Sequence, residues 1–426
     1  MSISRVDKFI RESGKFSSLE ESRNLRNLPV NIILGDDDNY RKISIMAYTA
    51  VGLALRCFTG PINIYYKKSP LGLPNTEECL FDGLIRLEED YGNFNRINFY
   101  RDKKPKGGPN LSLGTSHPNS ISADSAGWVV GINHIFSNNI PTVAPVAIFA
   151  VCCAFAKVFK SAVFKDNKQF NEKWSMSLLD FSPNPTIPTH FEKTALDLGT
   201  IGLLGAGAIG SGFAYSLKMS GWSADLDIID MDRYEQENLE TTMLLTKEIA
   251  INAEHKAKAL SNLLYESKNI RTNPIVTEIT SISTETKKSR DIFICAVDNA
   301  KTRCLLDDVN AELLLNGAVG GSIDNAGHVL FTRHLDSDMP LSNLYNKVVS
   351  NDGLSISDLP EDVRNDECST IAYNDVSMAA PFLGLASGSL LLLGCARKVM
   401  CIETDFNYYK FDLLKWQQQF QKEKRI

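Results

Sequence analysis

The stretch TIGLLGAGAIGSGFAYSL (200–217), followed by DLDIIDMDRYEQENL (225–239) and EHKAKAL (254–260), decides how this chain is read. Residues 201–204 are a short apolar run of strand type, and Gly205, Gly207 and Gly210 then fill a G-x-G-x-x-G turn. Helical spacing follows over 211–220, and a second apolar run, 226–229, ends at Asp230. Strand, glycine turn, helix and strand in that order make a βαβ unit suited to a nucleotide. The first glycine permits the tight turn, the second lets backbone N–H groups approach phosphate, and the third lets the helix pack on the strand. The amino end of the helix adds partial positive charge. Asp230, closing the second strand, is placed to accept hydrogen bonds from ribose hydroxyls.

Working outward, 426 residues are enough for two domains. Apolar residues at 43% and charged residues at 23% are usual for a soluble globular protein. A net charge of -6 argues against a broad nucleic-acid surface, so no nucleic-acid partner is expected. The nine cysteines include no C-x-x-C pair, which speaks against a zinc site of usual spacing. No secretory signal opens the sequence, and a cytoplasmic setting is expected. Two uncharged stretches, 141–156 and 378–396, read as buried helices rather than membrane spans. The first is too short to cross a bilayer, and the second carries Pro, Ser and Gly.

Upstream, VNIILG (30–35), a helical stretch (41–57) and INIYY (62–66) repeat the strand–turn–helix–strand plan. Here the loop holds Asp36, Asp37 and Asp38. Carboxylates in that position repel a pyrophosphate by on the order of several kcal/mol in a low-dielectric site. They read as caps of the following helix, so this unit is not expected to bind nucleotide. Each half also closes with an Ala-Pro helix start, at Ala144-Pro145 and Ala380-Pro381. A whole domain is therefore repeated. The expected division is a degenerate domain over 1–165, a Pro-rich linker over 166–195, and an active domain over 196–426.

In the second half, 247–267 reads as a helix containing Lys256, 276–279 as a strand, 292–297 as a strand ending at Asp298, and 304–315 as a helix. Ligands of an open parallel sheet bind outside the carboxyl ends of its strands. Asp230 and Asp298 both lie at such ends, one suited to ribose and the other to a metal ion on phosphates. Asp298 also suits an N-cap.

The order GAGAIG, DMD, a lone Asn238, Lys256 and VDNAKTR (297–303) resembles the ThiF-type adenylation domains, which include ubiquitin-activating enzymes and activators of sulfur-carrier proteins. The resemblance implies an α/β fold of two tandem Rossmann-like domains forming a pseudo-dimer, the first degenerate. It implies ATP and Mg as cofactors. Asp298 would hold Mg, Asp230 the ribose, and Asn238 and Lys256 the ATP phosphates. The family's Arg three residues after the Asn is replaced here by Thr241. DECST (366–370) resembles the catalytic-cysteine segment of the autophagy-type activators, which makes Cys368 the expected nucleophile within a loop of about 333–377. Cys152, Cys153, Cys295, Cys304, Cys395 and Cys401 lie in apolar or helical runs and read as structural. RVDKFIRESG (5–14) resembles the family's N-terminal arm, whose reaching cation falls on Lys8; a solvated amphipathic helix explains the same residues.

The function this implies is ATP-dependent adenylation of the C-terminus of a ubiquitin-like protein, then a thioester on Cys368 for transfer to a ubiquitin-conjugating-type enzyme. An NAD-dependent oxidoreductase fits the glycine turn and Asp230 but leaves VDNAKTR and Lys256 unexplained. A non-catalytic partner subunit of the same fold fits Thr241. No membrane partner is expected, and self-association into a homodimer is left open.

Overall fold

The computed structural model describes the chain apart from residues 1–3, 15, 37–39, 69–71, 73–77, 93–95, 137–140, 165–171, 186–194, 279–283, 299, 321–326, 335–378, 403–407, 416 and 422–426. The first half runs α1 (Arg5–Gly14), α2 (Leu19–Arg26), β1 (Val30–Leu34), α3 (Tyr40–Cys57), β2 (Ile62–Tyr66), α4 (Leu80–Tyr91), β3 (Ile97–Arg101), β4 (Asn110–Leu113), β5 (Ile121–Ala126), β6 (Val129–Ile132), α5 (Ala144–Phe164) and β7 (Trp174–Ser177). The second runs β8 (Asp197–Leu204), α6 (Ala208–Ser220), β9 (Ser223–Ile229), a 3-10 helix (Gln236–Glu240), α7 (Lys247–Ile251), α8 (Lys256–Leu264), β10 (Ile270–Ile275), α9 (Thr284–Lys287), β11 (Arg290–Cys295), α10 (Ala300–Cys304), β12 (Ala311–Val319), β13 (His328–His334), α11 (Pro381–Val399), β14 (Tyr408–Asp412) and β15 (Gln417–Gln421).

The repeat read from the sequence is explicit in the sheets. The first has the order β3-β2-β1-β4-β5-β6-β7, and the second has β10-β9-β8-β11-β12-β13-β14-β15. Strand for strand these agree, with β15 added at one edge. In each, the strands up to β5 or β12 pair in parallel, and the later strands pair antiparallel. The α/β fold with two Rossmann-like units is therefore present.

Four local expectations are corrected. Trp174–Ser177, inside the expected linker, is the edge strand β7, paired with β6. Its apolar residues are too few to stand out beside the Pro-rich sequence that follows. The helix expected over 304–315 is instead the end of α10 and the start of β12, whose Leu313–Leu315 pair with Ile292–Ile294. A short buried apolar run does not distinguish strand from helix by periodicity. The helix expected over 247–267 breaks between α7 and α8, where Ala253 takes a left-handed φ of 47°, and the strand expected over 276–279 lies earlier, as β10.

Helices α5 and α11 pack on each other, and each also covers its own sheet. Both are long and apolar enough to cross a membrane, the first over Ala144–Val163, so the 141–156 reading was too short; 83% and 89% of their apolar windows are buried in the fold. At α11's amino end, Phe382 meets Phe9 of α1 at 6.1 Å and Phe159 of α5 at 5.6 Å between ring centroids. Phe58 and Phe155 extend that cluster. On its other side α11 approaches α6 so closely that a Cβ at Gly212 or Gly388 would strike the facing helix backbone. In the first half, a buried ion pair of Lys42 and Asp124, 2.8 Å apart, ties α3 to β5. Burial pushes the Asp124 carboxyl up, while Lys42 and the Phe136 and Ser125 N–H groups hold it down.

Phe382→Ala should cost about 3–5 kcal/mol in urea unfolding. Because the resulting cavity is shared by both halves, variants keeping only Trp128 or only Trp222 should report the same lowered midpoint. A shift seen by Trp222 alone would show that the halves unfold independently.

Candidate nucleotide site

The glycine turn lies between β9 and β11, with β8 leading into it. Connections from β8 run outward through β9 to β10, then return to β11 on the other side, so the sheet's topological switch falls at β8 and β11. Gly205 has φ +94°, a conformation that disfavours any side chain, and a Cβ there would lie 2.8 Å from the Ala296 carbonyl oxygen. At Gly210 a Cβ would collide with the Gly205 carbonyl, so this glycine lets α6 close on the turn. Gly207, the N-cap of α6, differs. It has no side-chain cap, and a Cβ would meet nothing within 4 Å. The open side of the turn therefore faces the amino end of α6, where unpaired N–H groups collect.

Asp230 follows β9 and is bound into the turn. Its Oδ2 accepts from Ala206 N at 2.7 Å, and its Oδ1 accepts from Asp232 N at 2.8 Å. Burial pushes its carboxyl up, against the pull of the Ala206 N–H, Lys256 and the Asp232 N–H. Lys256 opens α8 and donates to Asp232 Oδ2 at 3.0 Å. Tyr234, which the sequence reading passed over, is fully buried and donates from its hydroxyl to Ala206 O at 2.6 Å. A tyrosine placed shortly after the strand-end acid was the available signal. The glycine turn, Asp230 and, through Asp232, Lys256 are thus linked by hydrogen bonds.

Asn238 sits in the 3-10 helix with 8% exposure. Its Oδ1 accepts from Glu235 N at 3.0 Å. That bond completes a capping box and fixes the side-chain amide. Thr241 is buried, and its hydroxyl donates to Asn238 O at 3.4 Å, so no cation stands in the place of the family's Arg. Asp298 is exposed just beyond β11, two residues past the Ala296 that packs on Gly205. Arg303, the end of VDNAKTR, is buried and donates to Val297 O at 3.1 Å and to Gly317 O at 3.4 Å. It anchors the loop that carries Asp298.

Lys8 is 7% exposed and engaged within the protein. Beside it, Ser4 Oγ and Val6 N donate to the carboxylate of Glu240, and Phe9 packs on Phe382, Glu240 and Phe382 both lying in the second half. Cys368 and most of its loop lie outside the described residues; only Arg333 and His334, at the end of β13, are described. Of the cysteines read as structural, Cys152, Cys153, Cys295 and Cys395 are buried, and burial raises all four thiols. Cys304 is partly exposed and Cys401 exposed, which corrects the reading for Cys401. Among the described residues no group of three or more His, Cys, Asp or Glu side chains is arranged to hold a metal. One exposed carboxylate beside a glycine turn is a donor set that would suit Mg taking most of its ligands from phosphates and water.

Residues 199–401 match the family model described as the BilD C-terminal domain. Among solved structures, the chain is similar to Escherichia coli MccB with MccA, at 13% identity and a TM-score of 0.40, covering 53% of this chain and 64% of that one. It is also similar to the microcin C7 biosynthetic enzyme MccB in complex with N-formylated MccA, at 11% identity and 0.42, covering 72% and 95%. A third is E. coli tRNA N6-threonylcarbamoyladenosine dehydratase, TcdA, at 17% and 0.33, covering 47% and 86%. This chain thus spans less than two thirds of the first MccB structure. Among curated proteins none matches.

Gly210→Ala should lower unfolding stability by about 1–3 kcal/mol through forced overlap. Gly207→Ala should stay within about 0.5 kcal/mol of wild type in the same urea titration. Equal losses would show that both glycines are required by packing alone.

Proposed function

We propose that the second half binds ATP with Mg and adenylates a carboxylate, the C-terminus of a ubiquitin-like protein in a cytoplasmic pathway. The observation that carries this reading is the joining of the open glycine turn, Asp230 and Lys256 at the switch point of the sheet, with Asp298 on the β11 side. Backbone N–H groups at the start of α6 and the ammonium of Lys256 receive the phosphates. Asp230, already oriented by two N–H donors, accepts from the ribose. Asn238 offers its Nδ2 to a phosphate oxygen, because its Oδ1 is held by Glu235 N. Asp298 would hold Mg, which when bound offsets phosphate charge.

The partner's carboxylate oxygen attacks the α-phosphorus, and the bond to the leaving pyrophosphate breaks. The acyl adenylate is a far better acyl donor than the free carboxylate. In the second step the Cys368 thiolate attacks the acyl carbon, the bond to AMP breaks, and a thioester forms. A conjugating-type enzyme takes the acyl group from there. The buried Thr241 favours a second reading, a subunit that binds ATP without reacting.

Asp298→Ala should abolish partner-dependent pyrophosphate exchange while leaving the circular dichroism spectrum and melting temperature unchanged. Wild-type protein that binds ATP yet catalyses no exchange would select the second reading, and calorimetric binding of NAD with none of ATP would overturn both. Cys368→Ala should still exchange pyrophosphate but lose the thiol-sensitive adduct with the partner on non-reducing gels. Persistence of that adduct would move the nucleophile to another cysteine.

A further inference from the structure

The first half has no glycine turn of its own, yet it sends two buried arginines across to the segment that carries Asn238. Arg56, near the end of α3, is 1% exposed. Its Nη2 donates to the carbonyls of Thr242 at 3.1 Å, Met243 at 3.0 Å and Leu245 at 3.4 Å. Its Nη1 is fixed on Gly52 O at 3.0 Å, and its guanidinium lies 4.9 Å from the centre of the Tyr91 ring. Arg26, on α2, reaches Glu240 Oε1 at 3.1 Å and Asp7 Oδ1 at 2.9 Å through Nη1. The same side chain also holds the carbonyls of Arg56 at 2.6 Å and Cys57 at 3.0 Å. The end of α3 and the end of the 3-10 helix are therefore pinned to one guanidinium.

Asn238 stands just before both anchored points, within the 3-10 helix. Its carbonyl accepts from Thr241 N at 3.1 Å and Thr242 N at 2.9 Å, so the turn that Arg56 grips is bonded directly to the residue that presents Nδ2. Met243 is locked from the same side, because its Cε lies where a Cβ of Gly52 would stand. The grip needs a planar fork with several donors, which an ammonium does not supply. Segment 241–246 forms neither helix nor strand; besides its own turn bonds at Thr241, Thr242 and Leu245, it is held by Arg56 of the first half.

We infer that Arg56 is a positioning residue for the nucleotide site. Through the carbonyls of Thr242, Met243 and Leu245 it sets where Asn238 stands, and Arg26 on Glu240 fixes the other end of the same segment. This rests on the nucleotide reading proposed above, and it assigns the degenerate half a part in that site distinct from any reaching cation.

The test uses the full chain. Arg56→Lys should speed amide hydrogen exchange over 238–246 by at least about tenfold, with residues 208–220 unchanged, as expected for loss of about 1.4 kcal/mol of local protection. ATP-Mg affinity, read by calorimetry, should fall about tenfold. In an Asn238→Ala background the same substitution should weaken ATP no further, because the two act as one unit. Should Arg56→Lys fail to fold, Glu240→Gln, at the less buried end of the segment, should show the same exchange pattern and the same non-additivity. Unchanged exchange over 238–246, or additive losses in the double variant, overturns the positioning role while leaving ATP binding intact. Wild-type protein that binds no ATP overturns the nucleotide reading instead, and this inference with it.

Discussion

Helices α5 and α11 are apolar on every side, and that single constraint organises the molecule. A helix of this kind has no face to offer water and must be covered all round. One sheet covers only one side of each. The remaining sides are satisfied by laying the two helices against each other and against α3 and α6, so two Rossmann-like units share a single apolar core. The close backbone approach at Gly212 and Gly388, and the phenylalanine cluster around Phe382, are ways of filling that shared space without voids. Polar latches close its rim. Arg41 donates to Ser220 O at 2.7 Å, Arg397 to Leu178 O at 2.7 Å, and Arg56 to the carbonyls beyond the 3-10 helix, each crossing from one half to the other. Carbonyl acceptors suit the buried Arg56 and Arg397 because they satisfy N–H groups without burying a second charge.

The repeat is conserved in topology and divergent in chemistry. Gly35 approaches the Gly114 carbonyl as Gly205 approaches that of Ala296. Beyond that point the halves part. The second half continues with glycines and an uncapped helix start. The first continues with Asp36, ion-paired to Lys67, and with the Lys42–Asp124 pair set between helix and sheet where the second half has close helix packing. An acidic loop and an internal charge pair are compatible with the scaffold, and carboxylates at that place repel a phosphate. What the first half retains is the surface that supports its neighbour.

The glycine turn, the strand-end Asp230 and the duplicated domain were legible in the sequence because each has a local signature: fixed spacing, a change from strand to helix periodicity, or a repeated Ala-Pro start. The β7 strand and the start of β12 were not, since short apolar runs become strands only through their partners. Nor were the roles of charged residues. Lys8, read as a cation reaching toward ATP, is buried within the protein, while Arg56 looked unremarkable inside a helical run. Whether a cation faces a pocket or a carbonyl is decided by tertiary packing, and pairs such as Arg56 and Met243 are nearly two hundred residues apart in the chain.

The shared core also imposes an order in time. The ribosome delivers α5 about two hundred residues before α11, and at roughly 5–20 residues per second the nascent first half waits on the order of ten seconds or more for the helix that covers it. Until then an all-apolar helix, lacking its main partner, is exposed beside an incomplete sheet. The chain must therefore carry a sticky, half-finished domain through most of its own synthesis, and its yield in a cell depends on chaperone capacity during that interval as much as on the stability of the finished fold.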